Sequence, residues 1–131
     1  MDVNELPEIA SRVFMGGRVV ALSDDGSHAL VRFRPPEGMR NPHGGVQGGF
    51  AAAMIDDVVS MATYHAGQQR TFVTANLNCY YLAPVPFDQA LDVSCTLVKV
   101  GKRQAIYDAQ ITAGDSDKVL IRATQLQQFL N

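Results

Sequence analysis

Apolar residues along the chain change their period several times, and each change marks an element. Leu6, Ile9, Ala10 and Val13 follow helical spacing, with Asn4 placed to cap, Pro7 in the first turn and Gly16-Gly17 as the stop. The period then shortens to two. In "RVVALSDDGSHALVRFRP", Ala29, Val31 and Phe33 alternate with polar neighbours after an Asp25-Gly26 turn, which predicts a hairpin. A run from about Gly48 to Tyr64, ended near Gly67, is apolar nearly all round and predicts a long buried helix. Alternation returns in "TFVTANLNCYYLAPVP", with Val73, Ala75, Leu77, Cys79 and Tyr81 on one face and Thr74, Asn76 and Asn78 on the other. "LDVSCTLVKVG" and "RQAIYDAQITAG" meet across Gly101-Lys102, and "KVLIRATQLQQFL" is a last strand whose end could also be helical. This order predicts an α+β chain, an antiparallel sheet curled around one central helix. The alternating helices of a doubly wound parallel sheet are missing.

At 131 residues, positions 1–131 are expected to form a single domain. A formal net charge of −2 without a basic stripe argues against a nucleic-acid partner. No apolar run approaches membrane-spanning length, and "MDVNELPEIASRVF" lacks the layout of a signal peptide. Cys79 and Cys95 sit in strand-like runs and do not form a metal-type pair. Two free thiols in a reducing cytoplasm follow from that placement.

The candidate chemistry lies in "NPHGGVQGGF" and the helix that follows it. Gly48-Gly49 at a helix start would expose backbone N–H groups to an anion or a developing oxyanion. The loop lacks the Lys-Ser/Thr pair of a P-loop and the spacing of a dinucleotide fingerprint, so phosphate cradling is disfavoured. Helical spacing sets Gly49, Ala52, Ala53, Asp56, Ser60 and Thr63 along one side, a stripe of small residues around one acid. Asp57 is turned away, beside Ala53, Met61 and Tyr64. A buried carboxylate is paired, neutralised or used, and two adjacent ones invite different answers. No His or Cys stands at ligand spacing nearby, so no metal site is expected.

Asn41, Gly44, "QGGF", Asp56 nine positions after Gln47, and "NCYYLAP" together resemble the hotdog-fold acyl-CoA thioesterases of the phenylacetate-pathway (PaaI-like) type. The resemblance runs over most of the chain. It implies a long central helix wrapped by an antiparallel sheet, with a homodimer as the minimal unit and a homotetramer as the fuller assembly. It implies no cofactor. Position by position, Gly48 matches the glycine whose N–H polarises the thioester carbonyl, and Asn41 the side chain that assists it. Asp56 matches the acid that activates water or attacks the carbonyl. Thr74 and Ser60 match hydroxyl positions of two branches, and Asp57 has no catalytic counterpart. Gln47 stands where the family most often has His, which keeps hydrogen bonding but removes proton transfer at that position. His43, four residues earlier, is the candidate replacement. Gln47, Gly49 and His43 are therefore expected against the substrate. Lys102 and Arg103 of the hairpin "VKVGKRQA", with Lys99 and Arg70, are candidates for the CoA phosphates. Phe50, Met54, Tyr80 and Leu82 are candidates to line the acyl pocket.

At about 1.5 Å per residue, Gly48 and Asp56 stand roughly 12 Å apart on one helix. One carbonyl carbon needs both within about 3.5 Å, so the two roles require two chains. Two rival readings are a hotdog dehydratase, for which the helix supplies no suitable His, and a non-catalytic acyl-CoA binding or sensor domain.

Overall fold

The computed structural model describes residues 1–130. After a short 3-10 turn (Val3–Glu5) come α1 (Ala10–Phe14), β1 (Gly17–Leu22), β2 (His28–Phe33) and a second 3-10 turn (Glu37–Met39). The long helix α2 (Gly48–Ala66) leads into β3 (Phe72–Tyr81), β4 (Leu91–Val100), β5 (Gln104–Ala113) and β6 (Val119–Phe129). The strands form one antiparallel sheet in the order β1-β2-β4-β5-β6-β3, and β3 is an edge strand. Element order and fold class match the periodicity. The end of the chain is strand through Phe129, not helix.

The core lies between the sheet and one side of α2. Ala51, Met54, Ile55, Val58, Val59 and Ala62 pack against inward residues such as Val31, Phe33, Val93, Ile111 and Ile121. The expectation of a helix buried all round holds for only half its circumference. Gly49 and Ala53 are exposed and Asp56 and Ser60 half-buried, so the chain's own sheet leaves the small-residue side open. Gly26 (φ +70°) closes the β1–β2 turn against the far end of α2, where an added Cβ would collide with the Ala62 carbonyl. The buried Tyr107 hydroxyl donates to the Gly26 carbonyl at 2.7 Å, locking turn to core.

Two local expectations are corrected. The first helix does not start at an Asn4 cap with Pro7 in its first turn. Asp2 caps the 3-10 turn by accepting from the Asn4 N–H at 3.0 Å, and α1 begins only at Ala10. The residue before a proline is pushed out of helical conformation, and Leu6 is extended (φ −70°, ψ 143°), which delays the helix. The second correction is in β3, whose register slips between Thr74 and Asn76. Phe72 pairs with Phe129 and Thr74 with Gln127, then Leu77 with Gln125 and Cys79 with Ala123. Ala75 is the extra residue of a bulge. Thr74 therefore faces the helix with Leu77 and Cys79, rather than pointing away with Asn76 and Asn78, and Val73 is exposed.

Among the described residues no helix is long and apolar enough to cross a membrane. Both cysteines are free. Cys79 is half-buried, and Cys95 is buried with its thiol pushed up to about 12 by desolvation.

Candidate active site

The sequence candidates fall into three places. The first is the start of α2. Asn41 shapes the loop before it, its Oδ1 accepting from the N–H groups of His43 (2.9 Å) and Gly45 (3.0 Å). The Gln47 N–H donates to the Met39 carbonyl at 2.9 Å and the Val46 N–H to the Val85 carbonyl at 2.8 Å, which fixes where the helix begins. Gln47 is the N-cap residue, exposed and making no side-chain capping bond. Its carbonyl receives the N–H groups of Phe50 and Ala51. Among the described residues nothing accepts from the N–H of Gly48 or Gly49, the groups a helix start leaves over. The ring of Tyr81 lies against Gly48, and its hydroxyl donates to the Gly48 carbonyl at 2.8 Å. A Cβ on Gly49 would meet nothing within 4 Å, so this chain alone gives no steric reason for a glycine there. Asn41, His43, Gly48, Tyr81 and Leu82 line a depression of about 440 Å³.

The second place is the middle of α2, where Asp56 is half-buried. Its Oδ1 accepts from Thr74 Oγ1 at 2.9 Å, Gln125 Nε2 at 2.7 Å and, more weakly, Ser60 Oγ at 3.4 Å. Among the described residues no donor reaches Oδ2. The carboxylate is thus held by one oxygen with the other open. Sequence reasoning brought Asp56, Thr74 and Ser60 together and missed Gln125 and Gln127, both fully buried. Their signal was present, as two amides in the otherwise apolar inward row of β6.

The third place is the β4–β5 hairpin, where Lys99, Lys102 and Arg103 line a depression of about 430 Å³. Arg70 does not join them with a free guanidinium. It donates to the carbonyls of Gly67 (3.0 Å), Lys102 (2.7 Å) and Gly101 (3.3 Å) and stacks over the Phe129 ring at 3.9 Å.

Asp57 answers differently from its neighbour. It accepts from Arg12 Nε at 2.7 Å and Nη2 at 3.2 Å, both side chains only 7% exposed. Arg12 was not singled out from the sequence. This closed pair borders a largely apolar cavity of about 480 Å³, with Ile9, Ser60, Met61, Tyr64, His65 and Phe72 among its other walls. Of the sequence-level lining candidates, Met54 is fully buried in the core, while Tyr80 and Leu82 are exposed. The cavity adjoins Asp56 through Ser60. Among the described residues no group of three His, Cys, Asp or Glu side chains converges to hold a metal ion.

A family model described as thioesterase superfamily matches residues 43–120, more than half of the chain and the whole of α2 with its glycine loop. Solved structures of the same fold include three bacterial proteins. The phenylacetic acid degradation protein PaaI of Thermus thermophilus, solved as a point mutant, aligns with TM-score 0.81 at 20% identity, covering 92% of this chain and 98% of that one. Escherichia coli PaaI aligns with TM-score 0.84 at 18% identity, covering 94% and 86%. A hypothetical thioesterase of Streptococcus pneumoniae, solved with coenzyme A, aligns with TM-score 0.80 at 19% identity, covering 90% and 91%. These likenesses show a common fold.

Proposed function

This chain belongs to the thioesterase superfamily and is a thioester hydrolase, and we propose that its substrate is an acyl-CoA, split to free acid and CoA in a site shared by two copies of the chain. The reading is carried by Asp56. It is one carboxylate with a single oxygen tied down by three donors, on a helix face of small residues that the chain's own sheet leaves open.

In this reading the Gly48 N–H of one copy, assisted by Asn41, donates to the thioester carbonyl oxygen. Asp56 of the other copy takes a proton from water through Oδ2 as the water oxygen bonds to the carbonyl carbon. The C–S bond then breaks, the electron pair leaves with sulfur, and the thiolate takes the proton held on Asp56, giving free CoA and restoring the carboxylate. Direct attack by Asp56, through an anhydride that water then opens, uses the same atoms. A thioester is electrophilic enough that a helix N-terminus and one carboxylate suffice without a nucleophilic triad. Gln47 and His43 border the approach to Gly48. Lys102 and Arg103 suit the CoA phosphates, and Arg70, already committed to three carbonyls, supports that hairpin instead. The apolar cavity beside Ser60 suits an aromatic or medium-chain acyl group, because most of its wall is apolar and the guanidinium of Arg12 is already paired with Asp57.

Pairing of two copies along β3 gives the dimer a physical basis. This edge strand has ten residues, with Val73 and Tyr80 exposed on it, and an uncovered edge is a template for another chain. The fuller assembly in this reading is a homotetramer.

The test is free-thiol release across a panel of acyl-CoAs with chelator present, followed by complementation. Asp56→Asn removes the acid. Gly48→Pro removes the N–H at a first helical position whose backbone suits proline, after a Gln47 already extended at ψ 138°, and requires the exposed Tyr81 ring, 3.2 Å from the new Cβ, to give slightly. Each variant alone should be inactive, and mixed heterodimers should regain part of the activity. A fully active monomer would sink the shared site. Acyl-CoA binding without thiol release would favour the sensor reading.

A further inference from the structure

The inward face of β6 runs Ile121, Ala123, Gln125, Gln127 and Phe129, and its two amides take no part in the bond-making steps above. Their hydrogen bonds have a fixed direction. Thr63 Oγ1 donates to the Val59 carbonyl at 2.7 Å, which leaves its oxygen to accept from Gln127 Nε2 at 3.2 Å. That contact turns Gln127 Oε1 toward Gln125, whose Nε2 donates to it at 3.3 Å. The same Nε2 donates to Asp56 Oδ1 at 2.7 Å and lies 3.2 Å from Thr74 Oγ1, itself a donor to Asp56. Polarity is thus handed from the helix backbone, through two amides, to the carboxylate.

The arrangement carries a visible cost. Gln125 Oε1 is buried with no hydrogen-bond partner among the described residues. Turning the amide over would set that oxygen against the carboxylate of Asp56 and the oxygen of Gln127, so rotation gives no relief. Apolar side chains at 125 and 127 together would fill the space with no orphan acceptor, as apolar residues do elsewhere in the row. An unsatisfied buried acceptor kept where an apolar side chain fits is a departure expected of a functional contact, not of one kept for stability.

We infer that Gln125 is a positioning residue for the hydrolysis: with Thr74 it ties down Oδ1 of Asp56, so that Oδ2 is the oxygen presented to the reacting groups. The inference rests on the reading of Asp56 as the acid that drives hydrolysis. Its leverage is geometric, since a misplacement of about 1 Å in a reacting group can cost about a hundredfold in rate.

The test compares wild type, Gln125→Leu, Thr74→Val and the double variant by thiol release from the best acyl-CoA of the panel and by thermal melting. For Gln125→Leu, kcat should fall about ten- to a hundredfold with KM within about twofold. Its thermal midpoint should stay close to wild type, because losing the Gln125 orphan oxygen offsets the donor that Gln127 Oε1 loses. The double variant should lose less than the product of the two single losses, because both donors serve one oxygen. An unchanged kcat in Gln125→Leu beside an active wild type would overturn this inference alone. So would a kcat loss that only tracks a lowered midpoint, or single losses that simply multiply. A wild-type chain silent on the whole panel would overturn the acyl-CoA hydrolase reading and this inference together. If Gln125→Leu does not fold, Thr63→Val removes the far anchor of the chain without touching Asp56. It should lower kcat several-fold at constant KM, and an unchanged kcat there overturns the inference equally.

Discussion

Replacing each of the two adjacent aspartates by asparagine should damage different properties of the protein. Asp57 and Arg12 are nearly excluded from solvent, at 7% side-chain exposure each, and joined by two hydrogen bonds. Asp57→Asn keeps the volume and one acceptor but leaves the guanidinium charge uncompensated. Breaking a buried pair from one side costs about 3–5 kcal/mol, and the retained acceptor puts this variant near the lower figure. Total stability for a domain is about 5–15 kcal/mol, so the variant should still fold. At roughly 3–5 °C per kcal/mol for a chain of this size, its thermal midpoint should drop by about 10 °C or more. The kcat per folded molecule should stay within a few-fold, while KM rises because the Arg12 guanidinium beside the acyl cavity is no longer neutralised. Asp56→Asn should do the reverse, with a midpoint near wild type and turnover down by about a hundredfold or more, the scale of a lost general base. Thermal melting and thiol release, both measured well below the melting range, decide the matter. If Asp57→Asn abolishes turnover in folded protein and Asp56→Asn does not, the assignment of the two acids is wrong.

Three further outcomes follow from local geometry. Gly49→Ala adds a Cβ with none of the described residues within 4 Å, so the midpoint should hold or rise through helix propensity, by up to about 1 kcal/mol in stability. Turnover should fall because the added methyl stands where the thioester or the second copy approaches, and undiminished turnover would count against the shared site. Asp25 has its carboxyl pulled down from 3.8 to about 2, chiefly by the Ser27 hydroxyl, then by the Ser27 N–H and the Ser23 hydroxyl. A depressed folded value means stability that is present above 3.8 and lost as pH falls toward about 2. The midpoint penalty of Asp25→Asn should accordingly be present at neutral pH and fade across that window, and a penalty that does not fade would refute the assignment. Deleting Ala75 leaves Thr74, Asn76 and Leu77 to pair with Gln127, Leu126 and Gln125 as they do now, so the chain should fold. Losing the bulge changes the aim of Thr74 at Asp56, and activity should drop about ten- to a hundredfold; full activity would show that the bulge has no such role.

The order of elements, the hairpin turns and the limits of α2 were legible because each rests on local chemistry: side-chain period, turn dipeptides, and glycines at helix ends. The grouping of Asp56 with Ser60 was legible for the same reason, since four residues on a helix are neighbours. What stayed hidden depends on residues distant in sequence. Gln125 meets Asp56 across 69 positions and Arg12 meets Asp57 across 45, and no periodicity within one element reports such contacts. Thr74 is the instructive case. Its likeness to a family position placed it at the site, while strict alternation placed it on the opposite face from Leu77 and Cys79. Both cannot hold on a regular strand. The structure reconciles them by slipping the register at Ala75. Alanine carries no bulge signature of its own, but the conflict itself did: a strand that must present Thr74 and Leu77 to the same helix needs an odd residue between them. The amides of β6 follow the same logic, because polar side chains in its otherwise apolar inward row have to meet something polar, and the facing side of α2 offers Asp56, Ser60 and Thr63.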